Sequence, residues 1–179
     1  MNTILPVISL VIIARVAAQY TYSCNSSAVC GCSSNSASMS RIVGGEAAGS
    51  STWGWAVLLY IASASICGGS LLSDRWIITA AHCVDTVTAS QITAYAGSNT
   101  RFQGQSRTGS TLIVHPNYNT FSNEHDIALI QVSSAFDLSD SNVKIICMPS
   151  VSAATLAAGE WPSANLYVRN MFHVIVLSE

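Results

Sequence analysis

Residues 67–83, with the sequence CGGSLLSDRWIITAAHC, decide the class of fold. Two short apolar runs, residues 70–72 and 76–79, flank the polar turn sequence SDR. Short runs that are rich in Ile, Leu and aromatic residues, with turn residues between them, are typical of β-strands. The stretch therefore predicts two consecutive strands, and the second strand leads directly to His82.

The same pattern extends along the chain in both directions, and apolar runs separated by Gly, Ser, Asn and Asp predict six strands. The strands are expected at residues 55–61, 70–72, 76–79, 92–96, 111–114 and 127–132. This region has no long helical period and no internal repeat. Six short strands favour a closed antiparallel barrel, because closure leaves no exposed strand edge. The predicted fold class is all-β.

The composition limits the classes of function. The chain has 179 residues, of which 50% are hydrophobic and only 9% are charged, and its net charge is −2. This length is typical of one domain, and so few Lys and Arg side chains argue against binding to nucleic acid. We expect a soluble globular protein with a sizeable apolar core.

The first 18 residues predict a secretory signal peptide. Residues 4–14 are apolar apart from Pro6 and Ser9, and small residues precede an expected cleavage site after Ala18. The apolar run is too short to span a bilayer, although an uncleaved anchor is the alternative. We therefore expect a secreted, extracellular protein with no membrane attachment after cleavage.

Residues 19–41 form a segment rich in Cys and Ser that we interpret as a propeptide. Residues 33–38 are small and polar, which predicts a flexible linker. Asn25 begins the sequence NSS and is a candidate for N-glycosylation, or else an unused site beside the cysteines.

Two motifs resemble known catalytic segments. Residues 79–83 (TAAHC) and 126–129 (DIAL) are similar to the His and Asp segments of the chymotrypsin/trypsin-like serine peptidases. The resemblance implies that His82 is the general base and that Asp126 orients its ring and stabilises the imidazolium. The alternatives are a solvated histidine and a turn aspartate. His115, which lies between them in sequence, is interpreted as structural.

Residues 41–45 (RIVGG) resemble the activation junction of trypsin-like zymogens. Cleavage after Arg41 by an activating protease would leave a cationic amine on Ile42, which can be buried against a carboxylate. In the family this carboxylate belongs to the Asp just before the catalytic serine. The alternative interpretation of Arg41 and Ile42 is a surface loop that proteases nick.

The serine segment of the family, Gly-Asp-Ser-Gly-Gly, does not occur among the 179 residues. The resemblance is dense over residues 41–149 and implies a Greek-key antiparallel β-barrel of the trypsin-like type. We expect a partial peptidase domain at residues 42–179, with a complete first barrel at about 42–150. Residues 151–179 depart from the family pattern, so the second barrel is expected to be largely missing.

The resemblance also implies a disulfide pattern. The family has a bridge that corresponds to Cys67–Cys83 and a cysteine like Cys147 that tethers the propeptide. Cys30 and Cys32 are too close in sequence to pair with each other without strain. Cys147 is therefore expected to pair with either of them, and Cys24 with the other.

The function expected from the family is that of a secreted serine endopeptidase zymogen, and the 179 residues themselves are expected to be inactive. An intact relative would act on polypeptide substrates, as a monomer and without a cofactor. No metal site is expected, because the four histidines lack metal-ligand spacing and residues 97–107 contain no Asp or Glu. The alternative function is that of a non-catalytic peptidase homologue that binds a partner; an unrelated structural β protein has little support.

Overall fold

The computed structural model describes residues 20–22, 28–32, 37–39, 48–49 and 51–148. Several predicted features lie outside these residues, namely the signal peptide, Cys24, Asn25, the Arg41–Ile42 junction and the segment 151–179. Within the described ranges no helix is long and apolar enough to cross a membrane.

The described secondary structure consists of short strands and two 3-10 helices. The helices are Ala81–Cys83 and Ala89–Gln91. The strands are β1 Tyr20–Tyr22, β2 Ala37–Met39, β3 Ala56–Ile61, β4 Ser65–Leu71, β5 Trp76–Thr79, β6 Ile92–Ala96, β7 Gln105–Val114 and β8 Ala128–Val132.

Six of the strands form a closed barrel in the order β3-β4-β5-β8-β7-β6. Every neighbouring pair is antiparallel, including β6 against β3, which closes the barrel. β5 and β6 are consecutive in sequence but not neighbours in the barrel, and β8 returns to lie beside β5, as in a Greek key. The predicted all-β class and closed antiparallel barrel are confirmed.

Alternation of side chains along the strands fills the interior of the barrel. In β3 the buried residues are Val57, Leu59 and Ile61, and the residues between them are partly exposed. Because successive side chains of a strand point to opposite faces, this period of two directs one face of β3 into the core. Strands β6 and β8 show the same alternation. The core is therefore shared among strands that are distant in sequence.

Strand β4 starts earlier than predicted, at Ser65 instead of position 70. The predicted strand begins after Gly68 and Gly69, whereas both lie within the observed strand. A Cβ atom on Gly69 would lie 2.7 Å from Cγ2 of Ile77, on the neighbouring strand, and 3.0 Å from a backbone oxygen. The glycine is present because two strands approach closely at this point, which is a tertiary requirement that turn statistics do not capture.

Strand β7 also starts earlier than predicted, at Gln105 instead of position 111. Its first residues are polar, yet their backbone pairs with β6. Their side chains also bind neighbouring loops: Nε of Arg107 donates to the carbonyl oxygen of Ala135 at 2.9 Å, and its guanidinium lies over the ring of Phe136. Polar residues can thus extend a strand when backbone and side chain both have partners.

The predicted linker at residues 33–38 is wrong in part. Its last two residues belong to strand β2, which pairs antiparallel with β1 in a separate two-stranded sheet. Tyr and Thr favour extended backbone, so the sequence YTY of β1 provides a pairing strand. Backbone pairing of this kind does not depend on the small polar side chains from which the linker was inferred.

Candidate active site

His82 lies in the middle of the 3-10 helix Ala81–Cys83, which follows the end of β5. Ala81 is fully buried in the core and anchors this helix to the barrel. On the other side, a disulfide joins Cys83 to Cys67 of β4. The backbone that carries His82 is therefore held to two adjacent strands of the barrel.

Asp126 lies beside His82, although it comes much later in the chain. It lies two residues before β8, and β8 pairs with β5 so that Ala128 is opposite Thr79. The end of β5 and the start of β8 are therefore neighbours at one rim of the barrel. This pairing brings together His82 and Asp126, which are 44 positions apart in sequence.

The two side chains form a direct contact. Nδ1 of His82 lies 2.7 Å from Oδ2 of Asp126, and the other carboxylate oxygen accepts the backbone N–H of His82 at 2.8 Å. The carboxylate thus holds both the ring and the main chain of the histidine. The His82 side chain is 54% exposed and that of Asp126 is 24% exposed, so the pair opens to solvent.

Burial tends to raise the pKa of Asp126, but hydrogen bonds from the ring and the backbone N–H of His82 outweigh it and lower this pKa below its ordinary value. The group is therefore an ionised carboxylate at neutral pH, and it can only accept hydrogen bonds. Nδ1 of His82 must then carry the donated proton. The opposite nitrogen, Nε2, is left with the lone pair that a general base requires.

Two further groups lie near the pair. Burial, and then the negative charges of Asp126 and Asp85, raise the pKa of the Tyr118 phenol, which remains protonated at neutral pH. On the other side Nε2 of His82 lies 3.5 Å from Sγ of Cys83. The motif TAAHC already places Cys83 next to His82, whereas the approach of Tyr118 to Asp126 was not predicted.

The lowered pKa of Asp126 predicts a pH dependence of stability. A group whose pKa is lower in the folded state stabilises above its ordinary pKa of about 4, and this contribution is lost as pH falls through the folded value. Wild type should therefore exceed Asp126→Asn in free energy of unfolding at neutral pH, and the difference should shrink in acid. Denaturant unfolding of both proteins across this range measures it.

The comparison with the variant is needed because other carboxyl groups contribute to the acid dependence. Hydrogen bonds from the Ser139 hydroxyl lower the pKa of Asp137, and the backbone N–H of Asn142 lowers that of Asp140. These contributions are common to wild type and variant and cancel in the difference. A difference that stays constant from neutral to acid pH would contradict the assigned pair.

The described cysteines are all oxidised. Cys30 pairs with Cys147, and this bridge joins positions 117 residues apart. Cys32 is disulfide-bonded as well, and Cys24, its expected partner, lies outside the described residues. The backbone N–H of Gly31 donates to the carbonyl oxygen of Ile145 at 2.8 Å, so the segment that carries Cys30 lies against the segment that carries Cys147.

Among the described residues, one group of Cys and His side chains lies close enough together to suggest a metal site, but it cannot bind a metal through its sulfurs. Donor atoms of Cys67, His82 and Cys83 lie within 4.8 Å of one another, but the two sulfurs are bonded to each other and cannot act as thiolates. His115 stacks on His125, with ring centroids 4.7 Å apart, and its Nδ1 accepts the backbone N–H of Asn117.

A closed antiparallel barrel with a His–Asp pair at one rim defines a class of protein, the trypsin-like serine peptidases. The family model described as Trypsin matches residues 42–164, which is more than half of the chain. The chain belongs to the trypsin family, and the family is one of serine endopeptidases, which are hydrolases.

Curated relatives support this membership. Transmembrane protease serine 11G of Rattus norvegicus is 30% identical over 85% of the chain. Transmembrane protease serine 7 of Mus musculus is 34% identical over 66% of it, and transmembrane protease serine 5 of Homo sapiens is 31% identical over 62%. The chain spans 35%, 15% and 25% of the lengths of these relatives.

A solved structure shows the same fold. The inactivated protease paralogue S-D1 of the scabies mite superposes with a TM-score of 0.52 at 32% sequence identity. The match covers 54% of this chain and 41% of the mite protein. The similarity therefore concerns part of each molecule.

Proposed function

We propose that the chain is the N-terminal part of a secreted trypsin-like serine endopeptidase zymogen. His82 is the general base, Asp126 orients it, and cleavage after Arg41 frees the amine of Ile42 for activation. The substrates are polypeptides, and the enzyme acts as a monomer outside the cell. The 179 residues alone do not hydrolyse peptide bonds, because they contain no nucleophile segment.

The observation that carries this proposal is the 2.7 Å contact between Nδ1 of His82 and Oδ2 of Asp126. The contact fixes the tautomer in which Nε2 can take a proton from a serine hydroxyl and return it to the leaving amine. A barrel that served only for binding would not require a carboxylate behind an exposed imidazole. The pair is thus prepared for proton transfer, while the group that would give up the proton is absent from the sequence.

An assay of the chain tests the last part of the proposal. After cleavage at Arg41, the 179-residue protein should give no hydrolysis of peptide amides and no labelling by a serine-directed fluorophosphonate. Without a serine and its oxyanion-binding amides, little rate enhancement remains over the uncatalysed reaction. A measurable rate that His82→Ala abolishes would contradict this expectation.

The second candidate is a non-catalytic peptidase homologue that binds a partner through the barrel. Its support is the similarity to a mite protein described as an inactivated protease paralogue. Stable, monodisperse secretion of the 179-residue chain favours this candidate, because a binding protein must fold and persist without the rest of a catalytic domain. Rapid degradation or insolubility favours the endopeptidase, of which this chain is a part.

A further inference from the structure

We propose that the Cys67–Cys83 disulfide is a thiol-exchange site, in which a dithiol reductant opens the bridge and His82 stabilises the departing thiolate of Cys83. The site lies at the rim of the barrel beside the His–Asp pair. It uses Nε2 of His82, the nitrogen that does not contact Asp126.

The geometry places the imidazole of His82 directly against one sulfur of the bridge. Nε2 of His82 is 3.5 Å from Sγ of Cys83, within the range of a hydrogen bond to sulfur. Asp126 holds the opposite nitrogen and the backbone of the same residue, so the ring keeps this orientation. The imidazole is more than half exposed, and both cysteines are partly exposed, so a small dithiol can reach the bridge.

The chemistry is a two-electron exchange. A thiolate of the dithiol attacks Sγ of Cys67, the new bond is a mixed disulfide, and the Cys67–Cys83 bond breaks. Nε2 of His82 takes up the proton that the dithiol loses on forming the attacking thiolate, and Cys83 leaves with the electron pair as a thiolate that pairs with the resulting imidazolium. The second thiolate of the dithiol then attacks the mixed disulfide and releases Cys67. The dithiol is oxidised to a disulfide, and the protein bridge is reduced.

The position of His82 determines which sulfur leaves. A neighbouring imidazolium stabilises a cysteine thiolate, and a more stable thiolate leaves faster. Taking for the leaving sulfur the coefficient of about 0.5 that holds for an attacking thiolate, a hundredfold stabilisation of the thiolate accelerates departure about tenfold. Asp126 contacts the opposite ring nitrogen, and its negative charge, with that of Asp85, also acts on the Tyr118 phenol.

Opening the bridge changes the site in two ways. It releases the 3-10 helix that carries His82 from β4, where Cys67 is located. It also leaves the Cys83 thiolate, the His82 ring and the Asp126 carboxylate in a row, so the exposed rim gains a reactive sulfur. The redox state of this bridge therefore controls both the position of the histidine and the chemistry beside it.

The test uses the full chain, limiting dithiothreitol and rapid alkylation, with peptide mapping to follow each bridge. The Cys30–Cys147 bridge is the internal reference. Cys147 is exposed whereas both cysteines of the exchange site are only partly exposed, so access alone predicts that the reference opens first. We expect the opposite order, with Cys67–Cys83 opening about tenfold faster.

Two further readouts isolate the role of the imidazole. When rates are expressed per concentration of reductant thiolate, opening of Cys67–Cys83 should slow as pH rises, because a ring without a proton on Nε2 cannot stabilise the departing thiolate. His82→Gln should remove both the tenfold advantage and this pH dependence. His115→Gln is the matched control, because His115 stacks on His125 instead, and it should behave as wild type.

Faster opening of the reference bridge, or a wild-type rate per thiolate that does not change with pH, would overturn the proposal. So would a His82→Gln protein that keeps the wild-type rate and pH dependence. The wild-type pH dependence decides the matter even if the variant does not fold. Neither readout depends on peptide hydrolysis, so the result is independent of the proposed endopeptidase function.

Discussion

Replacing Asp126 with asparagine is expected to lower kcat by about 10⁴ in a catalytic domain completed with a serine segment. Such a domain can be made by joining residues 1–148 to the C-terminal half of a trypsin-family relative. The carboxylate only accepts hydrogen bonds, whereas the amide of asparagine can donate to Nδ1 of His82. The proton then sits on Nε2, which can no longer take one from the serine.

Peptide hydrolysis by the joined domain, with and without the substitution, measures this effect. Asp137→Asn is the matched control, since Asp137 is an exposed aspartate on the loop after β8 with its own hydrogen bonds to Ser139. It should leave kcat within about twofold, because exposed positions away from a site are near neutral. A loss smaller than tenfold in the Asp126→Asn domain would mean that the pair does not work as proposed.

Replacing Leu59 with alanine is expected to lower the free energy of unfolding by about 2–5 kcal/mol. Leu59 is fully buried at the middle of β3, where it faces Cys67 and Ala94 across the two neighbouring strands. The substitution removes apolar contacts and leaves a cavity in a closed barrel that cannot collapse freely. Domains of this size are stable by only about 5–15 kcal/mol, so much of the stability is at risk.

Leu58→Ala is the matched control, one position away on the same strand. Leu58 is partly exposed on the outer face, so the same change in volume should cost less than about 1 kcal/mol. Denaturant unfolding of the two variants compares them directly. A one-residue slip of β3 would exchange the two faces and reverse the order of the two effects, which would contradict the observed register.

Much of this fold is encoded in local pattern. The short apolar runs between Gly, Ser, Asn and Asp residues predicted six strands and a closed barrel, because strands that bury side chains are apolar and the turns between them are not. The early start of β4 was not predicted from the sequence, because Gly69 is required by the close approach of Ile77 from the next strand. Local reasoning assigns such a glycine to a turn.

The candidate site was predictable only in part. Nothing in the spacing of His82 and Asp126 shows that they meet; the resemblance implied it, and the pairing of β5 with β8 provides the physical reason. The choice between Cys30 and Cys32 as the partner of Cys147 was open in the sequence. The structure pairs Cys30 with Cys147, which are 117 positions apart, and no local pattern predicts such a contact.

The barrel holds His82 against Asp126 before any nucleophile is present. Carbon NMR of the Asp126 carboxyl group, titrated in wild type and in His82→Ala, tests this most directly. We expect the wild-type pKa to lie below the ordinary aspartate value and to rise in the variant, because the ring no longer donates to the carboxylate. A wild-type pKa at or above the ordinary value, or one that His82→Ala leaves unchanged, would contradict the claim.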